Sequence, residues 1–308
     1  MLTYILRRFL IMIPILIAIS IFSFIIIKLP PGDYLTSYIQ QMKISGQEVD
    51  ESIIKSLERR YGLNQPGHIQ YLKWVSGFFK GDFGMSFQWN EPVLTLIKER
   101  IGFTVIIASL TILFQWGFAI PIGILSAIRQ YSFVDYFFTF VGFIGLSIPN
   151  FLLALILMFF GFKYFGANLS GLFSSKYMGV AWNIEKFIDM LKHLWIPIIV
   201  VGTAGTAGLI RIMRGQMLDE LEKEYVQTAR SKGLSEKTVI FKHTVRIAIN
   251  PLISTVGWIL PQIISGATIV GVVLTLPTLG PTLLQALQYQ DMYLAGSILL
   301  FQSSLIVI

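Results

Sequence analysis

Glu224–His243 reads EYVQTARSKGLSEKTVIFKH, a polar and strongly charged island between two hydrophobic stretches. The chain around it is 54% hydrophobic and only 13% charged, with a mean hydropathy of +0.69. Soluble domains carry about 25% charged residues, so a membrane is the natural solvent for most of this chain, and the island must face water. Leu218, Leu221, Tyr225 and Ala229 fall at i, i+3, i+7 and i+11, the stripe of a surface helix with one apolar face. Asp219, Glu220 and Glu222 sit early in it and Arg230 and Lys232 late, which complements the helix dipole. Gly233 is placed as a C-terminal stop, and Ser235 as the cap of a second helix carrying Lys237, Lys242 and Arg246 up to Asn250-Pro251. The pattern predicts a helix–Gly–helix elbow within 214–249, continuous with the flanking spans. A push on residues 225–234 would tilt those spans, which suggests coupling to a moving cytoplasmic partner.

Outward from the island the chain is organised by length of apolar run. About 20 apolar residues in a helix cross the hydrocarbon core, and the expected spans are roughly 9–29, 103–127, 136–162, 194–213, 250–275 and 290–308. Prolines at 14, 121, 149, 197 and 261 do not veto them, because neighbouring helices re-satisfy freed backbone groups. The first run follows Arg7 and Arg8, is longer than a signal-peptide core and has no small-residue cleavage site, so it reads as an uncleaved span. The fold class is thus an all-α integral membrane protein with six transmembrane helices and a cytoplasmic N-terminus. It divides into a first span (1–29), an extracytoplasmic helical loop (30–102) and a five-span core (103–308) with the cytoplasmic loop 214–249. Arg129 and the cluster Arg211, Arg214, Arg230, Lys232, Lys237, Lys242 and Arg246 favour that orientation, while Lys163, Lys176, Lys186 and Lys192 weaken it locally.

The loop 30–102 is patterned. Asp50 is a plausible cap for ESIIKSLERRYG, with Ile53, Ile54 and Leu57 on one face and Gly62 as stop, and IQYLKWVSGFF reads as a second amphipathic helix. Asp82-Phe83-Gly84 matches a kinase magnesium motif by letters alone, with none of its surroundings. In the fourth span Gly202, Gly205 and Gly208 with Ala204 and Ala207 permit close helix approach, either within this chain or to a partner subunit.

The composition and pattern weigh against several classes, of which an ion-coupled secondary transporter stays as the alternative from another class. The chain has no cysteine, hence no disulfide, thiol catalysis or Cys-ligated metal. Its net charge of +7 is the positive-inside bias of a multi-span protein, and nucleic acid is not an expected partner. A secondary transporter driven by an ion gradient would want mid-membrane carboxylates and an inverted repeat, and neither is seen. No acid–base or nucleophile constellation marks an enzyme. His68, His193 and His243 lie far apart. Gln115, Ser147, Asn150, Gln262 and Ser265 either line a pathway or make helix-to-helix hydrogen bonds. Arg211, near the end of its span, is either functional or snorkels to water.

The run QTARSKG (Gln227–Gly233) resembles the coupling motif of bacterial ABC-importer permeases, E-A-A, three residues, then Gly, with Gln227, Thr228, Ala229 and Gly233 in those four places. Gln and Thr for Glu and Ala resemble the dipeptide/oligopeptide/nickel branch. LRRFLIMIPILIAISIFSFIIIKLPPGD, RYGLNQPGHIQYLKWVSGFFKGDFGMSF, FIGLSIPNF (Phe143–Phe151) and LTLPTLG (Leu274–Gly280) are similar to further blocks of that branch, in the same order. The resemblance implies a bacterial or archaeal inner-membrane, multi-pass subunit of an ATP-driven importer, half of a pathway for short peptides. Oligosaccharides are the alternative, because LPPGDYLTSY departs from the branch's usual LPGDP, and nickel comes third. It implies a second homologous permease, two cytoplasmic ATP-binding subunits and an extracytoplasmic substrate-binding protein. Glu224, Tyr225, Gln227, Thr228, Ala229, Arg230, Lys232 and Gly233 would couple to the ATPase. The chain has no phosphate-binding G-x-x-x-x-G-K-[ST] loop, so it holds no cofactor, and ATP and Mg belong to partner subunits. The family usually continues by a few turns and a short tail past a position such as Ile308, so a C-terminal continuation is expected.

Overall fold

The computed structural model describes residues 2–30, 65–166 and 169–307. Among them, helices are joined by turns and short loops, with one isolated bridge between Met85 and Pro92. In chain order they are α1 (Leu2–Lys28), α2 (Gly67–Phe78), α3 (Val93–Ile128), α4 (Phe133–Ser147), α5 (Asn150–Phe165), α6 (Ile184–Leu221), α7 (Glu224–Ser231), α8 (Asn250–Val273), α9 (Leu279–Gln288) and α10 (Met292–Val307), with short helical turns between α7 and α8. The amphipathic segment expected at IQYLKWVSGFF is α2; the helix expected from Asp50 to Gly62 lies outside the described residues.

Four helices, α1, α3, α6 and α8, are long and apolar enough to cross a bilayer, and α4 with α5 makes a fifth if the bent pair is one span. α10 is a shorter apolar helix in the stretch expected to be the sixth span. The expected span 136–162 is therefore not one straight helix. α4 ends at Ser147, the next residue Ile148 is extended with a ψ of 120°, and α5 starts after Pro149 at an angle of 99°. A residue preceding proline is driven out of the α region by the proline ring. The other prolines, Pro14, Pro121, Pro197 and Pro261, stay inside continuous helices.

By its contacts the chain forms two compact units, Met1–Gly102 with Thr278–Ile308, and Phe103–Pro277. In the first, α1 lies along α10. Phe24 and Ile27 of α1, Trp74 of α2, and Leu294, Ala295 and Ile298 of α10 share one core. Aromatic rings run through it from Phe24 to Tyr71 (5.4 Å), and from Trp74 through Phe78 to Phe83 (4.9 and 5.0 Å). The Ser20 hydroxyl meets the Tyr71 phenol at 2.8 Å. Towards its N-terminus α1 leaves Phe9, Leu10, Ile13 and Ile17 exposed, and further along it Phe22, an apolar surface suited to lipid or a partner. Asp82 is a turn residue, its carboxylate accepting the Gly84 N–H at 2.9 Å.

In the second unit α6 is the central helix, packed by α4, α5 and α8. It begins with Asn183 accepting the Lys186 N–H at 2.8 Å. Its small residues face neighbours inside the chain: Gly202 meets Phe114 of α3, Gly205 meets Gln115, and Ala207 meets Gly142 of α4. Gly208 faces open space. The close-approach stripe thus serves packing within this unit at most of its positions.

Candidate functional site

Three groups of side chains gather the chemistry of this fold. The first is the elbow. The expected stripe from Leu218 through Ala229 does not belong to one helix, because α6 stops at Leu221 and Lys223 is extended (φ −69°, ψ 147°) before α7 begins. No Gly or Pro marks this break. It is imposed by packing: Val226 and Ala229 of α7, 0% and 6% exposed, close on Val239 with Tyr225 beside them. The Tyr225 phenol donates to Glu220 Oε2 at 2.6 Å. Burial, and then that carboxylate, push its pKa up to about 12, so it stays a donor.

Gly233 has φ +74°, its N–H donates to the Arg230 carbonyl at 2.9 Å, and the Leu234 N–H to the Ala229 carbonyl at 3.4 Å. That is the left-handed stop for which glycine is suited. Ser235 stands at the next N-cap, but its hydroxyl pairs with Thr238 Oγ1 at 2.9 Å and caps no backbone N–H. Glu236–Thr238 leads into a π-helical stretch, Val239–Thr244, and then Val245–Ala248. The Thr244 hydroxyl donates to the Val239 carbonyl at 3.1 Å, satisfying one acceptor of the widened turn. Ile240 packs with Met213 and Met217 of α6, Ile124 and Ala127 of α3, and Leu252 of α8. The second arm is therefore fixed to the long helices, and the first arm is fixed to the second.

Of the eight residues singled out in this loop, Glu224, Gln227, Thr228, Arg230, Lys232 and Gly233 face water. Ala229 is buried and Tyr225 half-buried, so these two hold the elbow together from inside. Arg230 reaches Glu236 at 2.8 Å, and its guanidinium holds that carboxyl below its ordinary value. Sequence reading passed over Leu234 and Phe241, 40% and 61% exposed. Their signal was available: large apolar residues inside a polar island.

The second group surrounds a cavity of about 310 Å³ within the Phe103–Pro277 unit. Gln115, Asn150, Gln262 and Ser265 line it, with Trp258 and Gly205. Gln115 is 2% exposed, and its Oε1 has no hydrogen-bond partner among the described residues. Asn150 arrives as the first residue of α5, delivered by the break at Pro149. Ser147 is not part of this cavity; it is exposed and donates back to the Phe143 carbonyl at 2.8 Å. Arg211 is elsewhere too, in a cleft of about 270 Å³ between α4 and α6. Beside it Arg214 grips Asp135 with two hydrogen bonds of 2.8 Å, and Asp135, 3% exposed, also accepts the Tyr131 N–H at 3.0 Å.

The third group escaped sequence reading. Asp291, at the mouth of the expected 290–308 span, is fully buried. Its Oδ2 accepts the Ser86 hydroxyl at 2.5 Å and the Phe87 and Gln88 N–H groups at 2.8 and 3.3 Å, and its Oδ1 accepts the Leu294 N–H at 3.2 Å. A carboxylate accepting this many bonds is a staple between the 84–92 turn and the start of α10.

A long packed helix ending in a fixed polar elbow, next to a cavity of neutral polar groups, suits a membrane pathway worked from outside the bilayer. Comparison with known proteins identifies the family. Residues 119–308 match the family described as binding-protein-dependent transport system inner membrane component, and residues 1–108 match its N-terminal companion family. The chain is 38% identical over 309 residues to the oligopeptide transport system permease protein AppB of Bacillus subtilis (strain 168), covering 100% of this chain and 94% of that one. It is 30% identical to the dipeptide transport system permease protein DppB of Alkalihalophilus pseudofirmus, covering 94% of this chain and 90% of that one. It is 28% identical to the glutathione transport system permease protein GsiC of Salmonella paratyphi A, covering 100% and 94%. The chain therefore belongs to the binding-protein-dependent transport system inner membrane component family, as a multi-pass permease subunit of an ABC importer in the bacterial inner membrane.

Proposed function

We propose that this permease forms half of a translocation pathway for short peptides, and that the amide cavity is part of that pathway. The observation that carries the reading is Gln115, 2% exposed with an unpartnered side-chain oxygen in a cavity it shares with Asn150, Gln262 and Ser265. A buried polar atom without a partner costs about 1–3 kcal/mol, a cost that a passing peptide N–H removes. Amide side chains donate and accept as peptide groups do, so they suit a cargo defined by its backbone. The names of the relatives, oligopeptide, dipeptide and glutathione permeases, support the same cargo.

The chain crosses the membrane six times with its N-terminus in the cytoplasm, and the elbow lies on the cytoplasmic side. There its outward residues Glu224, Gln227, Thr228, Arg230 and Lys232, with Leu234 and Phe241 beside them, dock on one of two ATP-binding subunits. ATP and Mg act on those subunits; this chain needs no cofactor of its own. ATP-driven closure of the ATPase pair pushes the elbow, and the fixed packing of Ile240 on Met213 and Met217 carries the push into α6. A second homologous permease completes the pathway, and an extracytoplasmic binding protein delivers the peptide.

The test is uptake by proteoliposomes holding both permeases and both ATPases, supplied with binding protein loaded with a radiolabelled tripeptide. Uptake should require ATP and fall with Gln115→Leu. Uptake driven by a proton gradient without ATP would refute the importer mechanism. ATP-driven uptake of an oligosaccharide but of no peptide would refute the cargo.

A further inference from the structure

Arg211 is left over once the amide residues have gathered around their own cavity. It lies one turn before Arg214 on α6 and lines the cleft between α4 and α6 together with Tyr131, Tyr136, Phe143 and Ile210. The charge of Arg214 is already matched, since its guanidinium is bidentate to the buried carboxylate of Asp135. Arg211 makes no hydrogen bond or ion pair among the described residues. The cleft therefore has one net positive charge, in walls that are mainly aromatic and aliphatic with Thr139 and two tyrosines among them. Arg211 is itself exposed, so its guanidinium is open to a ligand entering the cleft.

We propose that this cleft holds the headgroup phosphate of an anionic phospholipid, with Arg211 as its cation. The phosphodiester takes the guanidinium fork, for which Arg geometry is suited. A lipid fits better than free phosphate because the cleft opens onto an apolar face of α4, where Tyr136, Phe140 and Phe143 are 61%, 65% and 55% exposed. An acyl chain gains contact along that face and inorganic phosphate gains none. The inference rests on the orientation proposed above, which puts residues 128–135 in the cytoplasm. Basic pockets between transmembrane helices on that side bind anionic headgroups.

The experiment is native mass spectrometry of the intact four-subunit transporter, taken from nanodiscs of phosphatidylcholine with phosphatidylglycerol. Arg211→Gln should lower retained phosphatidylglycerol about fivefold, the factor contributed by one basic side chain near an anionic surface. Arg211→Lys should keep part of it, which also shows that the site is folded. Arg129→Gln, an exposed arginine outside the cleft, should keep all of it. Equal retention in wild type and Arg211→Gln overturns the proposal, as does equal loss in Arg129→Gln. Release of bound lipid by excess inorganic phosphate overturns the lipid form of it. A photo-crosslinker at position 211 that joins the second permease instead of lipid overturns it as well. Retention is read without transport, so a failure of the peptide reading leaves it untouched. The orientation is read separately by labelling a cysteine introduced as Gln130→Cys in this cysteine-free chain, and labelling from outside overturns the leaflet assignment.

Discussion

Gly233 separates backbone conformation from packing more cleanly than any other elbow residue. It sits at φ +74°, and a Cβ built there would meet nothing within 4 Å. Substitution therefore tests only the left-handed conformation and the N–H that donates to the Arg230 carbonyl at 2.9 Å. Gly233→Asn should cost least, because Asn visits this region and can stand in for glycine at a helix stop. Gly233→Ala costs about 1–2 kcal/mol for the left-handed backbone. Loss of freedom in the unfolded chain offsets about 0.4–1 kcal/mol of that, leaving a net cost of about 1 kcal/mol, or roughly fivefold in an opening equilibrium. Gly233→Pro fixes φ near −65° and deletes the bonded N–H, a cost of about 3 kcal/mol or more and over 100-fold.

The assay is amide hydrogen exchange over residues 224–240 in the assembled transporter, read at the Leu234 amide that donates to Ala229. Protection should fall in the order wild type, Asn, Ala, Pro, while amides of α6 up to Met217 stay protected. In proteoliposomes, ATP hydrolysed per peptide imported should rise in the same order. If Gly233→Pro exchanged like wild type, the left-handed stop would not be what holds the two arms together. If Gly233→Ala were as damaging as Gly233→Pro, the conformational reasoning would fail.

Three further outcomes follow from named contacts. Asp291→Asn preserves shape but puts an NH₂ among four converging donors; a buried donor left without its acceptor costs about 1–3 kcal/mol, so stability should drop by about that much, and an unmoved Tm in detergent would sink the staple. Arg214→Ala leaves Asp135, 3% exposed, as an uncompensated carboxylate, costing about 3–5 kcal/mol; adding Asp135→Ala should recover much of the loss, and strict additivity of the two would contradict the pairing. The Arg230–Glu236 pair stabilises the elbow above the ordinary Glu pKa of 4.5 and loses that contribution as pH falls below it through the lowered folded value. Exchange protection of the exposed 230–236 turn should accordingly hold steady down to about that pH, drop below it, and lose this dependence in high salt; a drop beginning at neutral pH would point to another group.

What was legible in the sequence followed the solvent. α1, α3, α6 and α8 stand where long apolar runs stand, because a bilayer selects for length and hydropathy with little regard for order. Gly233 was legible because few residues adopt φ +74°. Asp291 was not, since its meaning depends on Ser86, Phe87 and Gln88, about 200 residues away along the chain. The break before α7 was not, since Val226 and Ala229 leave the line of α6 only because Val239 is there to meet them. Arg211 and Arg214 looked alike as basic residues near a span end, and only the distant Asp135 makes one matched and the other unmatched.

The bend at Pro149 explains why the polar candidates divided as they did. On a straight helix Ser147 and Asn150 are i and i+3, neighbours on one face, and both would enter the cavity or both would miss it. Four other prolines in this chain sit inside continuous helices, so proline alone does not predict a break. Here Ile148 turns extended, and the 99° change of direction splits the pair. Ser147 spends its hydroxyl on the carbonyl of its own helix at Phe143. Asn150, opening a new helix, has no preceding turn whose carbonyl its side chain could take, and it lines the cavity with Gln115 and Gln262. A break at this point supplies the cavity with a polar side chain without breaking a longer stretch of backbone hydrogen bonding. The same break therefore accounts for one residue gained by the cavity and one lost to it.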